Sequence, residues 1–285
     1  EKYDLVRSVR FGKYKYIRNY QPFNVDGLYN FYRYKMLAYK EWYKLFQNGK
    51  LNEVQSQFFK PRAPEALYNI DEDPHEIKNL AKDKNYIEIL LDLRKKLNDH
   101  LVSINDLSFI PEPHLLENGL DDIVSYSEKN KDLISRLIKI SDLSLNDYKQ
   151  VSSKIQDALN DINPWVRYWG LIVSSSFGSK ALENKEQINS IFENDPENLV
   201  RMRAAEFMLL NNLEISDSKI NLLLKKSNFE AETNLMLNTL ANIKTSNPNY
   251  KLNLNKGVFP ENWLPPLREE NALVNRRMNY LTESE

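Results

Sequence analysis

The chain opens with strict alternation. Leu5, Arg7, Val9 and Phe11 lie on one side of an extended backbone, and Tyr14, Tyr16 and Arg18 repeat the pattern after Gly12-Lys13. A period of two, rich in β-branched and aromatic residues and broken by a two-residue glycine turn, predicts a β-hairpin. The period then becomes helical: Met36, Tyr39, Trp42 or Tyr43, and Phe46 recur on one face, with Gly49 as a stop. "LNEVQSQFF" predicts a second short helix ending before Pro61 and Pro64, and "EALYNI" a third strand. Asp73-Pro74 is placed to cap and begin a helical turn. In "YIEILLDLRKKLNDHL" the stripe Ile87, Leu90, Leu91, Leu97 and Leu101 predicts a half-buried helix, with Arg94, Lys95 and Lys96 facing outward.

Beyond about Leu116 only helical periodicity remains, and it repeats. "DINPWVRYWGLIVSSSFG" and "DPENLVRMRAAEFMLLNN" align without gaps, pairing Asp161 with Asp195, Val166 with Val200 and Arg167 with Arg201 at a spacing of 34 residues. Each copy follows an apolar helix, and a fainter third copy runs through "SKINLLLKKSNFEAETNLMLNTLANI". A helix, a turn opening on Asp, then a helix opening on Val-Arg is the HEAT-like pattern, in which the turn Asp caps and the Arg reaches a neighbouring turn. Tetratricopeptide and ankyrin repeats share the period, but their signatures are missing. The expected fold class is therefore α+β: a small antiparallel sheet with packed helices over 1–115, followed by an all-α HEAT-like repeat region over 116–255. The tail over 256–285 is expected to pack on the body, with a helix from Arg268 to Leu281.

Composition narrows the chemistry. Lys plus Arg number 39 against 40 Asp plus Glu, so no global field draws the chain to nucleic acid or an anionic membrane. No apolar run is long enough to span a bilayer. Cysteine is absent, which removes thiolate chemistry and Cys-based metal sites, and His75, His100 and His114 are scattered. The seven glycines form no phosphate-cradling motif, and no Ser stands in G-x-S-x-G. Asp71, Glu72 and Asp73 form a dense acidic turn, read as a capping turn more readily than as a calcium site. The hairpin is the unusual feature, with Arg7, Arg10, Lys13, Lys15 and Arg18 placing five cations in twelve residues. Sugar-sulfate recognition, single-stranded nucleic acid and a plain solvated sheet edge all suit that mix.

The same residues resemble a family. "RSVRFGKYKYIRNY", "FFKPRAPEALYNIDEDPHEIKNLAKD" and "LNDHLVSINDLSFIPE" are similar, in order, to the C-terminal subdomain of formylglycine-dependent sulfatases, nearest to the N-sulfoglucosamine sulfohydrolase-like enzymes of bacteria. The most specific match is to E-L-Y-D-L-x-x-D-P-x-E-x-x-N-L, present from Glu65 to Leu80 with departures at Ala66 and Asn69. The resemblance covers residues 3 to 112, and some members carry a helical extension. It implies an intact enzyme that hydrolyses sulfate esters or sulfamates of a sulfated glycan and is periplasmic or secreted. Its formylglycine and calcium would sit in an N-terminal catalytic domain, the implied partner of this portion. The formylglycine motif C/S-x-P-S-R is not matched here; the nearest string, Ser246-Asn247-Pro248-Asn249-Tyr250, lacks the final Ser and Arg. No catalytic residue, metal ligand or cofactor is therefore assigned to this chain. A start at Glu1 rather than Met fits a fragment or processed product. Arg7, Arg10 and Lys15 are the candidate substrate-binding residues, and pairing with carboxylates is the competing role for each. A stand-alone HEAT-repeat interaction module is the alternative. If a catalytic domain covers the aromatic segment from Tyr29 to Trp42, the isolated chain should expose a large apolar patch.

Overall fold

The structure, a computed structural model, describes residues 3–247 and 250–282. Three antiparallel strands, β1 (Val6–Phe11), β2 (Tyr14–Asn19) and β3 (Glu65–Asn69), pair in the order β1-β2-β3. Gly12 takes φ +58°, which a type II′ hairpin turn demands at its first central position. That turn sets the register Arg7 opposite Arg18, Val9 opposite Tyr16 and Arg10 opposite Lys15. The loop from β2 to β3 holds α1 (Leu37–Gln47) and α2 (Glu53–Ser56), the latter opened by a capping box of Asn52 and Gln55.

After β3 the chain departs from its predicted helical turn. Residues 70–82 form turns, with the Lys78 amide donating to the Asp73 carboxylate at 2.7 Å. The cause is competition from the sheet edge: the Leu67 amide donates to Asn79 Oδ1 at 3.0 Å and the Leu80 amide to the Leu67 carbonyl at 2.8 Å. Helix α3 (Ile87–Ser103) then lies against the sheet and buries Leu90, Leu93, Leu97 and Leu101. Ile87 and Leu91 are exposed, so Leu93 replaces them in the stripe, and Arg94 turns inward to fork onto Glu65 at 2.6 and 3.0 Å.

Among its described residues the second half contains helices and turns and no strand. Helices α4 (Glu112–Asn118), α5 (Ile123–Lys129) and α6 (Lys131–Ser141) lead into three helix-turn-helix pairs. The pairs are α7 (Tyr148–Leu159) with α8 (Pro164–Phe177), α9 (Lys185–Asn194) with α10 (Asn198–Leu210), and α11 (Asp217–Lys225) with α12 (Glu230–Ser246). The second helices stack on one another, α6 on α8 on α10 on α12. Gly170 lets α7 approach α8 closely, since a β-carbon there would stand 3.2 Å from that of Ala158. The last helix, α13 (Leu273–Thr282), starts five residues after the predicted Arg268 and packs on α12.

An arginine ladder joins successive turns. Arg136 on α6 pairs with Asp161 before α8, and Arg167 on α8 forks onto Asp195 before α10 at 2.6 and 2.9 Å. The ladder stops there. One period beyond Asp195 stands Phe229, and Arg201 donates instead to the Phe192 carbonyl at 2.7 Å. The third pair is held differently: buried Glu232 accepts from the Asn228 amide at 2.7 Å and the Ser227 hydroxyl at 3.0 Å.

The sheet and the helices share one apolar core running from Leu5 to Leu281. Two buried arginines cross between them. Arg18 on β2 donates to Asp142, the Ser141 carbonyl and Ser144, while Arg203 on α10 bridges Glu206, Tyr168 and Gln21. Removing one partner of a buried pair strands the other charge, at a cost of roughly 3–5 kcal/mol. Asp195→Ala should therefore lower the unfolding free energy in urea by roughly 3 kcal/mol, and Glu186→Ala, at an exposed pair with Lys185, by less than about 0.5 kcal/mol. Equal losses would show that the ladder carries no stability.

Candidate functional site on the open face of the sheet

Pairing register divides the hairpin cations between two faces. Arg7, Val9 and Phe11 share the face of Tyr14, Tyr16, Arg18, Glu65 and Leu67, which α3 covers. Arg10, Lys15, Ile17, Ala66 and Tyr68 point the other way, where no α3 residue follows.

On the covered face the basic groups are committed to neighbours. Arg7 forks onto Asp106 at 2.7 and 3.1 Å and donates to the Ser108 hydroxyl at 2.5 Å. Arg18 is fully buried and spends its donors on five oxygens, including the carbonyls of Asn19 and Pro64 at 2.8 and 2.9 Å. Its partner Asp142 is pushed above the usual carboxylate range by burial, against the pull of Arg18. Burial also acts upward on Asp106, but the hydrogen bonds from Arg7 and Ser108 hold it below the usual range. The Tyr16 phenol, pushed up by burial and by Glu65, donates to that carboxylate at 3.0 Å.

On the open face Arg10 and Lys15 stand directly opposite each other, a like-charge pairing that costs energy unless neutralised. Lys15 is neutralised by Glu76, 2.5 Å away, while exposed Arg10 donates, among the described residues, only to the Gly12 carbonyl at 3.2 Å. Beyond them a cavity of about 520 Å³ opens over the sheet. Ile17, Ala66 and Tyr68 belong to its floor, stacked Trp42 and Phe58 (4.8 Å, 27°) to one wall, and His75 and Glu76 to another. Arg62 is fixed at its rim by Asp4 at 2.7 and 2.8 Å. The structure thus brings Arg10 and Lys15 together and sets Arg7 on the opposite face. Trp42, Phe58, His75 and Arg62 were not singled out by the sequence, because a helix-spaced aromatic reads as core and only the β2–β3 loop together with the turns after β3 brings these four to one groove.

The aromatic segment packs largely on itself. Tyr39, Trp42, Tyr43, Phe46 and Phe59 form a cluster with contacting ring centroids 4.8–6.5 Å apart, and Tyr29 stacks on Tyr280 at 4.0 Å. Tyr32, Met36, Leu37 and Val54 remain exposed beside it. Among the described residues no group of His, Asp or Glu is placed to hold a metal ion, and the Asp73 carboxylate is occupied by backbone amides. The calcium implied for a sulfatase does not fit these residues. In the nearest formylglycine-like string, Pro248 and Asn249 lie outside the described residues.

Over 114 residues, 40% of this chain, the sequence is 40% identical to an ulvan-active sulfatase of Formosa agariphila. The matched part spans 19% of that protein's length. No protein-family model matches the chain, and no solved structure matches it. None of its described helices is long and apolar enough to cross a membrane.

Asp106 sets a pH dependence. Its folded value lies below the unfolded one, about 3.9, so its contribution is complete above that value and is lost as pH falls through the lower, folded one. In urea titrations Asp106→Asn should be less stable than the parent near neutral pH, and the gap should narrow below about pH 4. A gap of constant size down to about pH 2.5 would show that the Arg7–Asp106 pair is not its source.

Proposed function

We propose that this chain is the non-catalytic C-terminal portion of a sulfatase that removes sulfate from a sulfated glycan outside the cytoplasm, in the periplasm or after secretion. The observation that carries this reading is the 40% identity over 114 residues to the ulvan-active sulfatase. The formylglycine and the calcium belong to a catalytic domain that is this portion's partner, since the chain has no C/S-x-P-S-R string. In this reading the open face of the sheet borders the substrate cleft. Arg10 and Lys15 supply the cationic edge for sulfate, and the Trp42–Phe58 stack offers a plate for a sugar ring. Arg7, paired with Asp106, holds the hairpin in place and reaches sulfate only if that pair opens. The exposed Tyr32, Met36 and Leu37 provide apolar surface for the catalytic domain.

The helix pairs form a HEAT-like brace, a reading supported by the 34-residue spacing and by the Arg167–Asp195 fork between turns. Shared core and buried arginines transmit that rigidity to the sheet, as a site built on rigid elements requires.

Purified alone, the chain should release no sulfate from aryl sulfates or sulfated polysaccharides with calcium present. Release above a heat-inactivated control would overturn the non-catalytic reading. Joined to its catalytic domain, the protein should lose about tenfold or more in kcat/KM on a sulfated polysaccharide when Arg10 and Lys15 are both changed to Ala, with a small aryl sulfate little affected. Equal losses on both substrates would remove these residues from the cleft.

A further inference from the structure

The open face of the sheet changes sign between its edge and its cavity. Register sets Arg10, Lys15 and Tyr68 in one row across the three strands, so Arg10 stands two strand spacings, roughly 10 Å, from Tyr68. At the edge Arg10 has no carboxylate partner among the described residues. Over the cavity the balance is acidic. Of the described side chains that line it, Arg62 is the one permanent cation, while Asp26 and Glu76 are carboxylates. The Arg62 guanidinium is forked onto Asp4 and reaches Asp26 only at 3.5 Å, so one cation serves two acids there. Glu76 in turn holds Lys15.

The acidic field reaches the cavity floor. Burial pushes the Tyr68 phenol above its ordinary range, and the charges of Glu76, Asp26 and Asp73 push it the same way. Tyr68 is only 7% exposed, yet its hydroxyl has no hydrogen-bond partner among the described residues. A buried hydroxyl left unpaired costs free energy, and this one belongs to a cavity. The Trp42 indole N–H and the exposed Gln57 side-chain amide, in the same lining, are likewise unpartnered among the described residues. Glu76 is held at φ +55°, a conformation that favours glycine, so its carboxylate is kept in place at a cost in backbone strain.

We infer that this cavity is a subsite for an unsulfated sugar ring, and that Asp26 and Glu76 make it selective against a second sulfate. The ring lies on the Trp42–Phe58 plate, and its hydroxyls donate to the two carboxylates. The Tyr68 hydroxyl and the Trp42 N–H donate to its oxygens. A neighbouring ring carries its sulfate to Arg10. A sulfate group has acceptors alone and can give a carboxylate no hydrogen bond, whereas a ring hydroxyl can. The two acids are thus the repulsive element that attraction to Arg10 does not supply. The substrate class is a glycan in which sulfated and unsulfated rings adjoin, not one sulfated on every ring.

The sulfate at Arg10 rests on the sulfatase reading; the preference for a neutral ring rests on the cavity's own lining. The test therefore reads binding by the intact 285-residue chain and not sulfate release. Two carrageenan tetrasaccharides serve as probes, because sulfate is their only charged group. In the κ form sulfated and unsulfated rings alternate, and the ι form is the same backbone with every ring sulfated. By calorimetry the κ form should bind at least about tenfold more tightly than the ι form. A surface governed by net attraction to sulfate gives the opposite order. The double variant Asp26→Asn, Glu76→Gln should bring the two within about twofold of each other. Asp157→Asn with Glu186→Gln, the same loss of charge at exposed helix positions away from the sheet, should keep the parent's preference. Should the double variant lose stability, Asp26→Asn alone, at a half-exposed side chain, should cut the preference to about threefold. Tyr68→Phe should weaken the κ form by about fivefold with the thermal midpoint unchanged. Binding of the ι form as tight as the κ form, a preference that survives loss of both carboxylates or falls equally in the control, or no binding of either probe would each overturn the inference. None of these would touch the sulfatase reading, which is decided by sulfate release from the protein joined to its catalytic domain.

Discussion

Arg18 is the side chain on which the arrangement turns. It sits at the end of the central strand, almost inaccessible to solvent, where an unpaired guanidinium would be prohibitive. Its five hydrogen bonds run to the hairpin, to the strand-leading loop at Pro64 and to the end of α6, so one residue locks three segments far apart in sequence. A three-stranded sheet has little core of its own. It borrows one from the helices, and Arg18 sets the angle at which it does so. The orientation of the open face follows from that.

Arg203 performs the same service deeper in the molecule. Burial alone would drive the guanidinium toward its neutral form, but Glu206 holds it charged while burial pushes that carboxyl up. Tyr168 and Gln21 complete the network, joining α8, α10 and the loop after β2. With both arginines at the seam, the sheet and the helix pairs share a core and do not move as beads on a linker. A rigid seam matters for the function proposed, because a sheet that borders a cleft must hold its charged edge steady against a partner domain.

Charge on the open face of the sheet is largely paired. On the open face of the sheet Lys15 meets Glu76 and Arg62 meets Asp4, while Arg10 has no carboxylate partner among the described residues.

Much of the architecture was legible in residue order. Period-two alternation around Gly12 marked the hairpin, and the Asp-Val-Arg spacing marked the helix pairs, because both depend on local geometry that repeats along the chain. The spacing even anticipated that Arg167 would reach a turn Asp, which it does at Asp195. Other features were beyond reach. The stripe on α3 shifted from Leu91 to Leu93 because burial answers to the sheet beneath it, and Pro74 began no helix because the edge of β3 competed for the following amides. Which cations would be free to act was decided only by tertiary contact. Arg7 and Lys15 look alike in sequence, yet one found Asp106, 99 residues away, and the other Glu76. Lys35 and Arg276, at opposite ends of the chain, meet on a single phenyl ring. Local propensity is written in neighbours along the chain, whereas the field at a side chain is set by whatever charge folding brings within a few ångströms of it.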